Sequence, residues 1–89
     1  MKIVVSPKFT KNLNKRFANK PQIKEKLYER SQLFLTDPHA FELKDHQLQG
    51  ERKDYRAFSV TGDIRVVYKI EEDEETIKFY DIGTHNQVY

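Results

Sequence analysis

Five residues in the second half of this chain have side chains that handle protons and phosphates: His46, Asp63, Arg65, His85 and Tyr89. Histidine titrates near neutral pH and serves as a general acid or base. Arginine presents five N–H donors in a fixed fork that suits a phosphate. Asp63 can accept a proton. Each also has a plainer reading. A lone exposed histidine is more often idle. A hairpin turn selects aspartate for backbone reasons alone. A strand arginine can pair with a cross-strand carboxylate, here Asp81. His39, directly after Pro38, reads as a loop residue behind a helix.

Other chemistries are poorly represented. The chain has no cysteine and no His-x-x-x-His pair, so no zinc site is expected. It has neither a glycine-rich phosphate loop nor a Gly-x-Ser-x-Gly elbow, so no nucleotide cofactor or serine nucleophile is expected. Basic groups, histidines and a carboxylate on one sheet face leave one coherent chemistry, metal-free cleavage of RNA.

The elements that must position these residues follow from hydrophobic spacing. Lys2 to Val5 is short and β-branched, which suits a strand. Ser6 then caps a helix with Pro7 at its first position. Phe9, Leu13 and Phe17, with Arg16, lie along one face of it. Asn19-Lys20-Pro21 interrupts, and a second helix runs from Pro21 to about Leu35 with Ile23, Leu27 and Phe34 inward. Phe41 to Gly50 reads as an irregular stretch anchored by Phe41, Leu43 and Leu48. A strand over Arg52 to Val60 places Tyr55, Ala57 and Ser59 on one face, and Arg56, Phe58 and Val60 on the other. Thr61-Gly62-Asp63 turns the chain into a strand with Ile64, Val66, Tyr68 and Ile70 on one face and Arg65, Val67 and Lys69 on the other. The acidic run Glu71 to Glu75 is the next turn. In the last strand Ile77, Phe79 and Asp81 alternate with Lys78, Tyr80 and Ile82. Gly83 is expected to end it and free the tail. The result is one α+β domain over residues 1–89, order β-α-α-β-β-β, with a helical hairpin packed on a small antiparallel sheet.

Composition sets the bounds. The 89 residues, 37% hydrophobic and 34% charged, allow a thin core. No 18-residue apolar run or signal-peptide pattern is present, so no membrane partner is expected and cytoplasmic location is the default. Charge is uneven: residues 1–40 hold nine Lys and Arg against three Asp and Glu, while residues 41–89 hold seven against eleven. The lysine-rich helix surface is either simply solvated or a docking face for phosphate or an acidic partner.

Four segments together resemble a known family. They are Lys44-Asp45-His46-x-Leu48-x-Gly50, Asp54-Tyr55-Arg56, Gly62-Asp63-Ile64-Arg65-Val66-Val67-Tyr68 and Gly83-Thr84-His85. In order and spacing they are similar to the RelE/ParE toxin superfamily, most of all its YafQ-like mRNA interferases from bacterial toxin–antitoxin pairs. The resemblance implies a metal-independent endoribonuclease, without cofactor, that cuts mRNA in the ribosomal A site. It implies the ribosome and a cognate antitoxin as partners. Carried over by position, His46, Asp63 and His85 match proton-transfer residues, and Arg65 matches an arginine used against the scissile phosphate. Tyr89 stands at a terminal aromatic position, and Lys44, Lys53, Arg56 and Tyr89 are the substrate-binding candidates. Two positions depart from the pattern: Ser59 replaces a histidine and Asp81 an arginine, and Arg65 can supply the missing positive charge. Two alternatives stay open: a ParE-like toxin that inhibits DNA gyrase by binding, and a non-catalytic domain that binds RNA or an acidic protein through its helices.

Overall fold

The computed structural model describes residues 1–89. Strand β1 (Lys2–Val5) leads into helices α1 (Pro7–Phe17) and α2 (Pro21–Thr36), which are joined by three residues. A short strand β2 (His46–Gln47) precedes β3 (Arg56–Ser59), β4 (Ile64–Ile70) and β5 (Thr76–Thr84), and a single-turn helix α3 (His85–Val88) closes the chain. The sheet order is β1-β5-β4-β3-β2.

The α+β class and the helical hairpin on one sheet face match the expectation. The sheet itself is mixed: β1 runs parallel to β5, pairing Val5 with Phe79, while the other pairs are antiparallel. The hairpin carries the chain from β1 at one edge to β2 at the other, and β5 then returns beside β1 after residues 6–75, so no tight turn has to join the parallel pair.

Capping explains where α1 starts. Ser6 has an extended backbone, and its hydroxyl oxygen accepts from the Phe9 N–H at 3.0 Å, with Pro7 in the first turn. Phe9 and Phe17 then face the sheet, joined from α2 by Ile23 and Phe34. Phe34 stacks on Phe58 at 5.1 Å and meets Tyr68 edge-on at 4.9 Å. Phe58, Val60, Ile64, Val66, Ile77, Phe79 and Ile82 complete this core from the strands.

Ile82 was expected on the opposite face from Ile77 and Phe79. A β-bulge between Val67 and Tyr68 and their partners inserts Tyr80 and resets the alternation, so Ile82 returns to the core. The same bulge leaves Asp81 within reach of α1. Its Oδ1 accepts from Asn12 at 2.7 Å and from Arg16 at 3.3 Å, and Lys8 lies 3.8 Å from Oδ2. Beyond the end of β1, side chains from the cap and from α1 satisfy β5: Ser6 donates to the Tyr80 carbonyl and Arg16 to that of Ile82. Asp81 therefore fastens α1 to β5, and Arg65 does not pair with it.

Candidate functional site

Register decides which side chains share the uncovered face. His46 pairs with Ala57, and Ala57 with Val67, while Ser59 pairs with Arg65, and Arg65 with Gly83. Directly opposed residues point the same way. His46 and Arg65 therefore lie on the face away from α1 and α2. Arg65 donates to Ser59 Oγ at 2.7 Å, so the serine at the departing position fixes the arginine's direction.

The tail does not hang free. β5 continues through Gly83 to Thr84, and α3 folds back over the open face. Gly83 serves close approach: a Cβ there would sit 2.7 Å from Arg16 Nη1 and from Gln87 Oε1, and 2.9 Å from Gln87 Cβ. The Thr84 N–H donates to Gln87 Oε1 at 2.8 Å, half of a capping box. Val88 is buried against Leu48, Ala57 and Val67. Burying one such side chain contributes about 1.5–3 kcal/mol, enough to seat one helical turn. The Arg52 guanidinium donates to the Val88 carbonyl at its end.

That turn carries His85 and Tyr89 to His46. The Tyr89 ring meets His85 edge-on at 4.5 Å and His46 edge-on at 6.1 Å. Its hydroxyl lies 3.1 Å from His46 Nε2, and His46 Nδ1 lies 3.0 Å from the Lys44 carbonyl. A carbonyl only accepts, so Nδ1 carries a proton and the neutral ring leaves Nε2 as the acceptor of the Tyr89 O–H. Burial raises the Tyr89 pKa, partly offset by the charge of Arg65, so the phenol stays protonated at neutral pH. His46, Leu48, Arg52, His85 and Tyr89 line an open cleft of about 430 Å³ with Gln47 and Gln49. Two imidazoles, one phenol and a guanidinium can move protons and hold an anion there.

The other candidates fall outside this cluster. Asp63 sits in the exposed β3–β4 turn, where its N–H bonds Thr61 Oγ1 at 3.3 Å, and it does not line the cleft. Lys44 meets the site through its carbonyl, and its side chain lines a neighbouring groove with His39, Phe41 and Asp45. Lys53 likewise contributes a carbonyl, which accepts from Gln47 Nε2 at 2.7 Å. Arg56 pairs with Tyr68 in the register and faces the helices, 3.4 Å from Asp45. Burial opposes its charge, but the Tyr68 hydroxyl and the Asp45 carboxylate outweigh burial and raise its pKa. Sequence reasoning missed Arg52 and Gln87. Thr84-x-x-Gln87 is a readable helix-start signature. Nothing in the pattern marks Arg52, whose role depends on where the Val88 carbonyl arrives.

Known proteins share this architecture. Residues 1–89 match the family described as the bacterial toxin of type II toxin–antitoxin systems, YafQ. A metal-bound toxin from Helicobacter pylori is 32% identical, covers 100% of this chain and 99% of its own, and superposes with a TM-score of 0.82. YafQ from Escherichia coli is 26% identical over 99% of this chain and 97% of its own, with a TM-score of 0.77 alone and 0.73 in the DinJ–YafQ complex. A YoeB/ParE toxin from Agrobacterium tumefaciens, 19% identical over 96% of this chain and 99% of its own, shares the fold with a TM-score of 0.80. No curated protein sequence matches.

Proposed function

The chain belongs to the YafQ family of toxins from bacterial type II toxin–antitoxin systems, and from that membership we propose that it is a ribosome-dependent endoribonuclease that cuts mRNA. The observation that carries this reading is the His46–Tyr89–His85 cluster, two imidazoles held on either side of one phenol at an open cleft. A toxin that acts by binding alone has no use for a paired acid and base.

His46 Nε2 takes the proton of an RNA 2′-OH, in the place now held by the Tyr89 hydroxyl. The 2′-oxygen forms a bond to the adjacent phosphorus as the bond from phosphorus to the 5′-oxygen breaks. His85 as imidazolium protonates the departing 5′-oxygen. Arg65, aimed by Ser59, and Arg52 on the cleft wall stabilise charge on the phosphoryl oxygens. The products are a 2′,3′-cyclic phosphate and a 5′-OH. DNA has no 2′-OH and is not a substrate. Asp63 stays available as the alternative base once RNA covers the turn. A cognate antitoxin, as in the DinJ–YafQ toxin–antitoxin complex, neutralises the toxin, and both act in the cytoplasm.

The test is mRNA cleavage in a reconstituted translation reaction, with and without ribosomes, comparing wild type with His85→Ala. Cuts that need ribosomes and fall by about 10²- to 10⁴-fold in the variant are expected. Intact mRNA with folded wild-type protein overturns the proposal in favour of a gyrase-binding or purely binding toxin.

A further inference from the structure

A second polar cluster lies directly behind His46, on the helix side of the sheet. The Asp45 side chain is nearly enclosed, with 10% of its area exposed. Its Oδ1 accepts the Tyr68 hydroxyl at 2.7 Å, and the Arg56 Nε lies 3.4 Å from both of its oxygens. Tyr68 is among the most buried residues and packs on Phe34 and Phe58. Its hydroxyl is the only polar part of a ring set in the aromatic core, so this anchor does not move with the loop.

The consequence reaches His46 through one residue on each side. Lys44 precedes Asp45 in a left-handed conformation, φ 47°, which a side chain other than glycine rarely adopts. Lys44 is the C-cap of the short 3₁₀ turn Phe41–Leu43, its N–H donating to the Phe41 carbonyl at 3.2 Å, and the anchored Asp45 holds the chain on the other side. This conformation turns the Lys44 carbonyl back onto His46 Nδ1 at 3.0 Å. On the other side, His46 starts β2 and pairs with Ala57. The corner is thus held at Asp45, bent at Lys44 and ends at His46.

We propose that Asp45, locked by Tyr68 and Arg56, is a positioning residue that sets the tautomer and ring orientation of His46 through the Lys44 carbonyl. The inference rests on the reading of His46 as the proton acceptor. Without the lock, the chain between the Lys44 cap and His46 is free to turn, the Lys44 carbonyl leaves Nδ1, and the imidazole reverts to the Nε2–H form that free histidine prefers. Nε2 then carries a proton and cannot take one from a hydroxyl. Burial and the adjacent carboxylate raise the Tyr68 pKa, which keeps that phenol a donor throughout the neutral range.

The experiment reads the ring directly. The ¹⁵N shifts of His46 are recorded above its titration in wild type, Asp45→Ala and Tyr68→Phe. Tyr68→Phe keeps the aromatic ring in the core and serves where Asp45→Ala fails to fold. The expected result is an Nδ1–H ring in wild type and a shift toward Nε2–H in every folded variant. Ribosome-dependent cleavage then falls by up to about 100-fold in kcat with little change in KM. An Nε2–H ring in wild type, or an Nδ1–H ring retained in Tyr68→Phe, overturns the proposal whatever the cleavage activity. A tautomer shift in a toxin that does not cut RNA keeps the positioning role and removes the interferase reading instead.

Discussion

The helix-covered face of the sheet buries thirteen apolar residues in one cluster, and the open face buries four under a single helical turn. The first face is built from large interlocking groups such as Phe34, Phe58 and Tyr68. The second is held by Val88, by one capping glutamine and by the Arg52 contact to a carbonyl. Local stability follows the number and size of packed contacts. The comparison teaches that stability and the candidate chemistry sit on opposite sides of one backbone layer. Damage to the first face should unfold the protein, and damage to the second should disable it while it stays folded.

The sharpest way to break this contrast is to truncate one large residue on each face. Phe58→Ala removes a fully buried ring from the centre of the aromatic cluster and should cost about 3–5 kcal/mol by urea unfolding. His85→Ala, in the exposed first turn of α3, should change stability by less than about 0.5 kcal/mol while removing cleavage. A His85→Ala loss of several kcal/mol would mean that α3 belongs to the structural face.

An intermediate case probes the join between the faces. Gly83→Ala pushes a methyl group against Gln87 and Arg16, whose contacts at 2.7–2.9 Å leave no room for it. Gln87 cannot yield without giving up the Thr84 N–H. Overpacking of this kind costs about 1–3 kcal/mol. Because the displaced element carries His85 and Tyr89, cleavage should fall by up to about 100-fold. Unfolding midpoints and cleavage rates measured on one preparation separate the two losses. Equal activity with reduced stability would show that the site tolerates movement of α3.

The helix-covered face was largely legible in the sequence, and the open face only in part. Period-3.6 and period-2 spacing found both helices and the three antiparallel strands that follow the loop, because those patterns report a single buried side. The strand expected over Arg52–Val60, however, forms only over Arg56–Ser59, after a tight turn at Gly50–Arg52. Spacing carries no information about partners distant in the chain. The parallel β1–β5 pairing was therefore invisible, as was the extra residue at Tyr80 that returns Ile82 to the core. Arg56 shows the reverse situation. Its alternation with Phe58 and Val60 already placed it on the helix side, yet the Asp54-Tyr55-Arg56 motif drew it into the site. His46 and His85 were identified by residue type, but the two-residue strand and four-residue helix that bring them together are too short for a periodic signal.

The smallest expected effect lies at the far end of the sheet, in the β4–β5 turn. Asp73 accepts from the backbone N–H groups of Glu75 and Thr76 at 2.9 Å each, and from the Thr76 hydroxyl at 2.9 Å. These bonds, with a smaller contribution from the charge of Lys2, favour the carboxylate and hold its pKa below the ordinary aspartate range. The sign follows from linkage. A folded-state pKa below the unfolded value gives a contribution that is fully present above the unfolded value, about 3.9. It is lost as pH falls through the depressed folded value. Asp73→Ala should therefore lower the unfolding temperature at pH 6–7 by a small, measurable amount, and the gap from wild type should close at lower pH, where both carry a neutral turn. Thr76 opens β5, so this turn sets the register at the end of the strand opposite the cleft. Cleavage at neutral pH should be unchanged, and a gap that widens in acid would mean that repulsion among the glutamates, and not the Asp73 hydrogen bonds, governs the turn.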